Sequence, residues 1–322
     1  MHARLRSCFP LFPAYFPGFL HESAQLTCQN GTRILFPTMQ QIQTQAVQSA
    51  DRHYTASSPT IAYRRVDGTA GQQNEIVLLL HGVGSSASTW NELLPLLNPG
   101  FTVIAPDYRG HGYSEAPPVP YVIDDYVTDV LRLLDELGVA AAHIVGFSIG
   151  AVIAEAVALA APERISSLVL LNTIGDRTEE ERVRALARLE VIRSTDPAEV
   201  AVTSAARWFT PAFIESNPEL VAGEVGIVSV TDHVPYAASY EVLATTEIID
   251  QLSAIDLPTL IVTGENDVGS TPRMSRAVHE KIARSQMVVV DDLQHYLHIE
   301  GAQTIADLIN GFIRSNPAPH HP

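Results

Sequence analysis

Along the middle of the chain, short runs of consecutive apolar residues alternate with segments of helical spacing. Glu75–Leu80 (EIVLLL), Phe101–Ala105 (FTVIA), Ala142–Val145 and Leu168–Leu171 are such runs, and two more follow late, at Thr259–Thr263 and Met287–Val290. A run with no polar alternation predicts a strand covered on both faces, as in a parallel sheet. Between the runs lie helical patterns at Ser86–Leu97, at Tyr121–Leu137 and from about Ile149 to Ala160. In the second of these, Val122, Tyr126, Val130, Leu133, Leu134 and Leu137 share one stripe. Thr60–Val66 (TIAYRRV), closed by Asp67-Gly68, reads as an earlier strand and turn. Strand and helix in alternation predict an α/β fold, a mostly parallel central sheet with right-handed crossovers and flanking helices.

The alternation stops near Asn172 and resumes at Thr259. The stretch between is helical in pattern and opens with many charges (DRTEEERVRALARLE). This predicts a core at 55–172 and 257–315, with a helical cap at 173–256 inserted after the sixth strand. Residues 1–54 form an N-terminal extension, expected to be poorly ordered over 1–38, and 316–322 a tail. Arg4 and Arg6 precede an apolar run from Cys8 to Leu20, the outline of a secretory signal. Pro10, Pro13 and Pro17 interrupt that run, and it is too short to span a bilayer. The expectation is a cytoplasmic protein with a natural start at Met39, the alternative being an exported one.

Charge and cysteine content narrow the chemistry. The 322 residues carry 20 Lys plus Arg against 36 Asp plus Glu, a net charge of −16, which disfavours nucleic acid or an anionic membrane as partner. The single lysine, Lys281, leaves no Gly-Lys pair for a phosphate loop. Cys8 and Cys28 are the only cysteines, so the body has no thiol nucleophile and no cysteine-bound zinc. No metal or organic cofactor is expected. The oligomeric state is open.

The strongest chemical signal is Gly146-Phe147-Ser148-Ile149-Gly150, a G-x-S-x-G directly after a strand and before a helix. That context holds a serine exposed at the sheet's edge on a tight turn. A serine hydroxyl needs a base, and the base needs an orienting acid. His295 follows the last strand, with His298 as rival; Asp267 follows the strand Thr259–Thr263, with Glu265 as rival. Oxyanion donors are expected from the backbone N–H of Ile149 and, in the turn His81-Gly82-Val83-Gly84, of Val83.

Five motifs in order, HGVG (81–84), DYRGHGYS (107–114), GFSIG (146–150), GEND (264–267) and His295 with Glu300, make residues 55–315 resemble the α/β-hydrolase superfamily. The resemblance implies a structural role for Arg109 and His111. Arg207-Trp208-Phe209-Thr210-Pro211-Ala212-Phe213 is similar to a stretch of the 3-oxoadipate enol-lactonases of aromatic catabolism. The His-Gly turn, the GFSIGA elbow and Gln294 before the histidine depart from that subgroup. The chemistry implied is hydrolysis of a small carboxylic ester or lactone through an acyl-enzyme, with Phe147, Arg207 and Trp208 at the substrate. A substrate carboxylate would call for a cation, with Arg177, Arg182, Arg184 and Arg207 available. The same triad would also serve a general carboxylesterase, a cofactor-free haloperoxidase or perhydrolase, or a C–C bond hydrolase of ring-fission products. A small-molecule receptor on the same fold is the non-enzymatic alternative.

Overall fold

A computed structural model describes residues 52–69 and 75–318, together with the backbone of Gln25–Thr27 and Arg33–Leu35, which pair as a short antiparallel ribbon. Cys8, Cys28 and nearly all of the expected extension lie outside the described residues.

The strands are β1 (Arg52–Tyr54), β2 (Ala62–Val66), β3 (Glu75–Leu80), β4 (Phe101–Pro106), β5 (Ala142–Phe147), β6 (Ile165–Leu171), β7 (Thr259–Gly264) and β8 (Ser285–Val290). They form one eight-stranded sheet in the order β8-β7-β6-β5-β3-β4-β2-β1. β1 with β2 and β2 with β4 run antiparallel; all other pairs are parallel. β1 is a departure from the sequence reading, which ended the extension at 54: Arg52–Tyr54 pairs residue for residue with Arg64–Ala62.

The unbroken apolar runs do cover both faces of the sheet. Val77 and Leu79 of β3 pack on one side with Val145, Val169 and Val262, while Leu78 and Leu80 pack on the other with Ile144, Leu168 and Ile261. The period of two sends neighbours to opposite layers. These four of the six β3 side chains are fully buried, each contributing about 1.5–3 kcal/mol on removal from water.

Helices α1 (Ile123–Glu136) and α2 (Ile149–Ala160) cover the second face. Asp125 closes the start of α1 by accepting from the Val122 N–H at 2.9 Å. Ser86–Leu97 is not the continuous helix its spacing suggests. It forms two single 3₁₀ turns, Ala87–Trp90 and Leu94–Leu96, the second opened by Pro95, whose missing N–H cannot extend an α-helical ladder.

Between β6 and β7 stand α3 (Glu179–Ser194), α4 (Pro197–Trp208), α5 (Pro211–Ser216), α6 (Pro218–Ser229) and α7 (His233–Thr245). Proline at the first position of α4, α5 and α6 fits a helix start, where no N–H partner is needed. Thr178 and Glu181 cap α3 reciprocally. The 3₁₀ segment Ile249–Ala254, read as part of the insertion, packs with the core instead: Leu252 and Ile255 are buried with Met274 and Val278 of α8 (Pro272–Lys281). The chain closes with α9 (Leu297–Glu300) and α10 (Ala302–Ser315). Among the described residues no helix is long and apolar enough to cross a membrane.

Candidate active site

The C-terminal ends of β3, β5, β7 and β8 converge below the insertion on a cavity of about 680 Å³. Ser148, Asp267, His295, Val83, Phe147, Arg207 and Trp208 all line it.

Ser148 sits at the junction of β5 and α2 with φ 57° and ψ −117°, a conformation an L-residue rarely adopts. Such strain persists only where the surroundings enforce it, and here glycines do so. A Cβ on Gly146 would lie 2.2 Å from the Gly150 carbonyl oxygen, and one on Gly150 would lie 2.2 Å from that of Leu80. The helix therefore starts in contact with the sheet, and the turn has no other path. The Ser148 N–H donates to the Leu171 carbonyl at 3.0 Å. Ile149 opens α2, so its N–H is among those a helix leaves without an internal partner, at the positive end of the dipole.

His295 and Asp267 are hydrogen bonded, Nδ1 to Oδ2, at 2.6 Å. The carboxylate accepts, so Nδ1 carries the proton and Nε2 is left with its lone pair. The other oxygen of Asp267 accepts from the N–H groups of Gly269 at 2.8 Å and Ser270 at 2.9 Å. Glu265 is exposed and meets the Asp292 N–H, so the geometry pairs His295 with Asp267 and not with Glu265. His298 is fully buried against Trp90 and the Phe147 ring, with its Nε2 2.9 Å from Thr89 Oγ1. Burial, with His295 nearby, pulls its pKa down to about 3.

The turn after β3 is held by two neutral imidazoles. The Tyr108 N–H donates to His81 Nε2 at 3.1 Å, which puts the His81 proton on Nδ1, and Nδ1 donates to the Gly82 carbonyl at 2.7 Å. The Gly84 N–H donates to His111 Nε2 at 3.0 Å. Burial lowers both histidines, His111 to about 4. Gly82 is required by contact: a Cβ there would stand 2.8 Å from the Phe147 ring. Arg109 is bound to Asp129 at 2.7 Å and Asp125 at 2.9 Å, away from the cavity lining.

The insertion contacts the histidine turn directly. The Tyr296 N–H donates to the Trp208 carbonyl at 2.9 Å, and the two rings lie 4.9 Å apart. Gln294 donates through Nε2 to the Ala206 carbonyl at 3.2 Å. Glu300 accepts from the Gln294 N–H at 3.2 Å and from the hydroxyl of Thr210. Trp208 is thus both a wall of the cavity and a support for the residues around His295.

Four arginines line the cavity: Arg177, Arg184, Arg188 and Arg207. Arg177 faces Glu247 at 3.6 Å and Arg184 faces Glu180 at 4.0 Å. Arg182 joins Glu247 at 3.4 Å and is not in the lining. Among the described residues, Arg188 and Arg207 have no carboxylate within ion-pair distance; Arg188 donates to the hydroxyl of Ser204. Burial holds the Arg188 guanidinium below its usual value, and Arg207 adds to the effect. Arg188 was not singled out from the sequence, and neither were Tyr236 and Tyr240, which also line the cavity. No signal marks Arg188: of α3 only Leu189 and Ile192 are buried, while Val183, Leu186 and Val191 are exposed, so the helix carries no apolar stripe on which a charge would stand out. Among the described residues, no group of three or more His, Cys, Asp or Glu could hold a metal ion.

Comparison with known proteins agrees with this architecture. Residues 75–218 match the family model of the alpha/beta hydrolase fold, and residues 237–321 match a second model described as TAP-like protein. The chain is similar to 3-oxoadipate enol-lactonase 2 of Acinetobacter baylyi, 31% identical over 247 residues, covering 76% of this chain and 91% of that protein. It is 23% identical over 248 residues to an (E)-2-((N-methylformamido)methylene)succinate hydrolase of the same organism, covering 76% of this chain and 92% of that protein. The crystal structure of the enol-lactonase from Burkholderia xenovorans LB400 superposes with a TM-score of 0.76 at 29% identity, over 81% of this chain and 100% of that one. This chain belongs to the α/β-hydrolase family, within its enol-lactonase-like group.

Proposed function

We propose that the protein is a serine hydrolase that opens a lactone, or cleaves an ester, bearing a free carboxylate. The observation that carries this reading is the strained Ser148 in the same cavity as the His295–Asp267 pair.

His295 Nε2 takes the proton of Ser148 as Oγ bonds to the substrate carbonyl carbon. The N–H groups of Val83 and Ile149 stabilise the oxyanion; loss of one such donor typically costs about 2.7–4 kcal/mol in the barrier. The intermediate collapses by breaking the C–O bond, and the departing oxygen takes the proton from His295. In a lactone that oxygen stays tethered to the acyl group. Water then gives a proton to His295 and attacks the acyl carbon, the bond to Oγ breaks, and Ser148 recovers its proton. Asp267 stays ionised and holds the tautomer. The helices between β6 and β7 act as a cap over the cavity.

The acidic substrate is supported by Arg188 and Arg207, two guanidinium groups at the cavity without an ion-pair partner among the described residues. Arg188 is half-buried, and a cation so placed without a counter-ion is costly, a cost that a bound carboxylate removes; Arg207 is exposed and adds its charge at the rim. The names of the two Acinetobacter relatives likewise denote carboxylate-bearing substrates.

The test is a steady-state comparison of 3-oxoadipate enol-lactone with p-nitrophenyl acetate, for the protein and for Ser148→Ala. A lactone kcat/KM far above that of the aryl ester, lost in the variant, supports the reading. Ester turnover without lactone turnover leaves a serine esterase and removes the acidic-lactone part. Full turnover by Ser148→Ala overturns the serine mechanism.

A further inference from the structure

Asn172 is the first residue after β6, fully buried, with φ 48°. Its backbone N–H extends the sheet by donating to the Val262 carbonyl at 2.8 Å. Its side chain joins two turns distant in sequence. Oδ1 accepts from the Gly264 N–H at 3.0 Å, at the end of β7. Nδ2 donates to the His295 carbonyl at 2.7 Å and reaches that of Gln294 at 3.4 Å. The partners fix which way the amide points: oxygen to an N–H, nitrogen to carbonyls.

The same two turns press together at this place. A Cβ on Gly264 would lie 2.6 Å from the carbonyl oxygens of Leu293 and Gln294, and the Asn266 N–H donates to Leu293 at 2.9 Å. Asp267 stands three residues beyond Gly264, and its hydrogen bond to His295 crosses between these turns. Asparagine combines what the position demands: tolerance of positive φ, an acceptor for one turn and a donor for the other. Aspartate matches its shape but would set an oxygen against two carbonyls.

We infer that Asn172 is a positioning residue, whose side-chain amide sets the spacing of the Asp267 and His295 turns and so the alignment of the imidazole with Ser148. The inference rests on the proposed serine mechanism. Misalignment of a base by a fraction of an ångström lowers the chemical step and leaves ground-state binding in place.

The experiment compares Asn172→Gly and Asn172→Asp with the parent protein, counting active sites by stoichiometric labelling with a fluorophosphonate. Glycine keeps the positive φ and removes only the amide; aspartate keeps shape and φ, and serves if the glycine variant does not fold. The expected result is kcat per labelled serine lowered by between about ten- and a hundredfold, with KM within about twofold. The downfield proton resonance of His295 Nδ1–H, identified by its loss in His295→Ala, is expected to shift or broaden. A residue that only supports the fold would lower yield or stability and leave kcat per labelled site and that resonance unchanged; this result overturns the inference. Ser148→Ala run alongside separates the two proposals: if it retains turnover, the serine mechanism itself has failed.

Discussion

Glu155 offers a stability test that is independent of any substrate. It lies on α2, seven residues after Ser148, with no exposed surface. Oε1 accepts from Thr173 Oγ1 at 2.6 Å, and Oε2 is buried without a hydrogen-bond partner. Burial pushes its pKa from 4.5 up to about 8, a shift only partly offset by the Thr173 bond. The folded protein therefore holds this proton at neutral pH, whereas the unfolded chain releases it near 4.5. A raised folded-state value means stability fully present below 4.5 and lost as pH climbs through 8. At about 1.36 kcal/mol per pH unit, the gap amounts to an order of 5 kcal/mol. Glu155→Gln fixes the group in a neutral form of nearly the same shape. The assay is urea unfolding of both proteins from pH 5 to pH 9, read by far-ultraviolet circular dichroism. The amide adds an N–H without a partner, a constant penalty of about 1–3 kcal/mol at every pH. Against that constant, the variant should gain several kcal/mol on the parent across the range. Glu224, raised to about 7 by burial, titrates in both proteins and cancels in the comparison. Stability curves that stay parallel to within about 1 kcal/mol would falsify the assignment of a buried proton to Glu155.

Two further expectations concern the site. Arg188→Ala and Arg207→Ala should each lower kcat/KM for the acidic lactone by about 1.5–3 kcal/mol, roughly ten- to a hundredfold, while p-nitrophenyl acetate turnover changes little; equal losses on both substrates would place these arginines in general support of the fold. His295→Ala should reduce turnover roughly ten-thousandfold or more, whereas His298→Ala should keep measurable turnover; the reverse pattern would exchange the two histidines. His298 also sets a pH limit. With its folded value near 3 against 6.5 unfolded, it contributes stability that is complete above 6.5 and drains away as pH falls. Urea midpoints of His298→Ala should accordingly decline less steeply below pH 6.5 than those of the parent.

The parts of the site that could be read in the sequence are those fixed by the sheet. Ser148 follows β5, Asp267 follows β7 and His295 follows β8, and a parallel sheet delivers the residues after its strands to one edge whatever the connecting helices do. Strand runs such as EIVLLL announce themselves because burial on both faces leaves no room for polar residues. The misread elements lacked such a constraint. Ser86–Leu97 has apolar residues at helical spacing, but the buried Trp90 ends the first 3₁₀ turn and the buried Leu93 precedes the second, and spacing alone does not tell this from one helix. Tyr54 of β1 is exposed, so the strand carries no apolar run to mark it.

The illegible residues share one physical cause: they act through tertiary contacts made by the insertion or across loops. Arg188 is one: nothing in α3 alone says that its guanidinium reaches the cavity that Arg207, already a candidate from the sequence, lines from α4. Asn172 looks like a loop residue after a strand, and its role rests on Gly264 and Gln294, 92 and 122 residues away along the chain. The same division runs through the RWFTPAF stretch. Its aromatic side chains suggest substrate contact, yet its backbone does something the letters do not encode, since the Trp208 carbonyl accepts from Tyr296, the neighbour of His295. Insertion and histidine turn are therefore mechanically one unit: Ala206, Trp208 and Thr210 hold Gln294, Tyr296 and Glu300, while Asn172 holds the carbonyls of Gln294 and His295. A change in the insertion that improves the fit of a new substrate will, on this geometry, also move His295. Engineered specificity changes at α4 should then appear in kcat as well as in KM, and variants that alter KM alone should cluster on α3 and α7, whose residues line the cavity without bonding to the histidine turn.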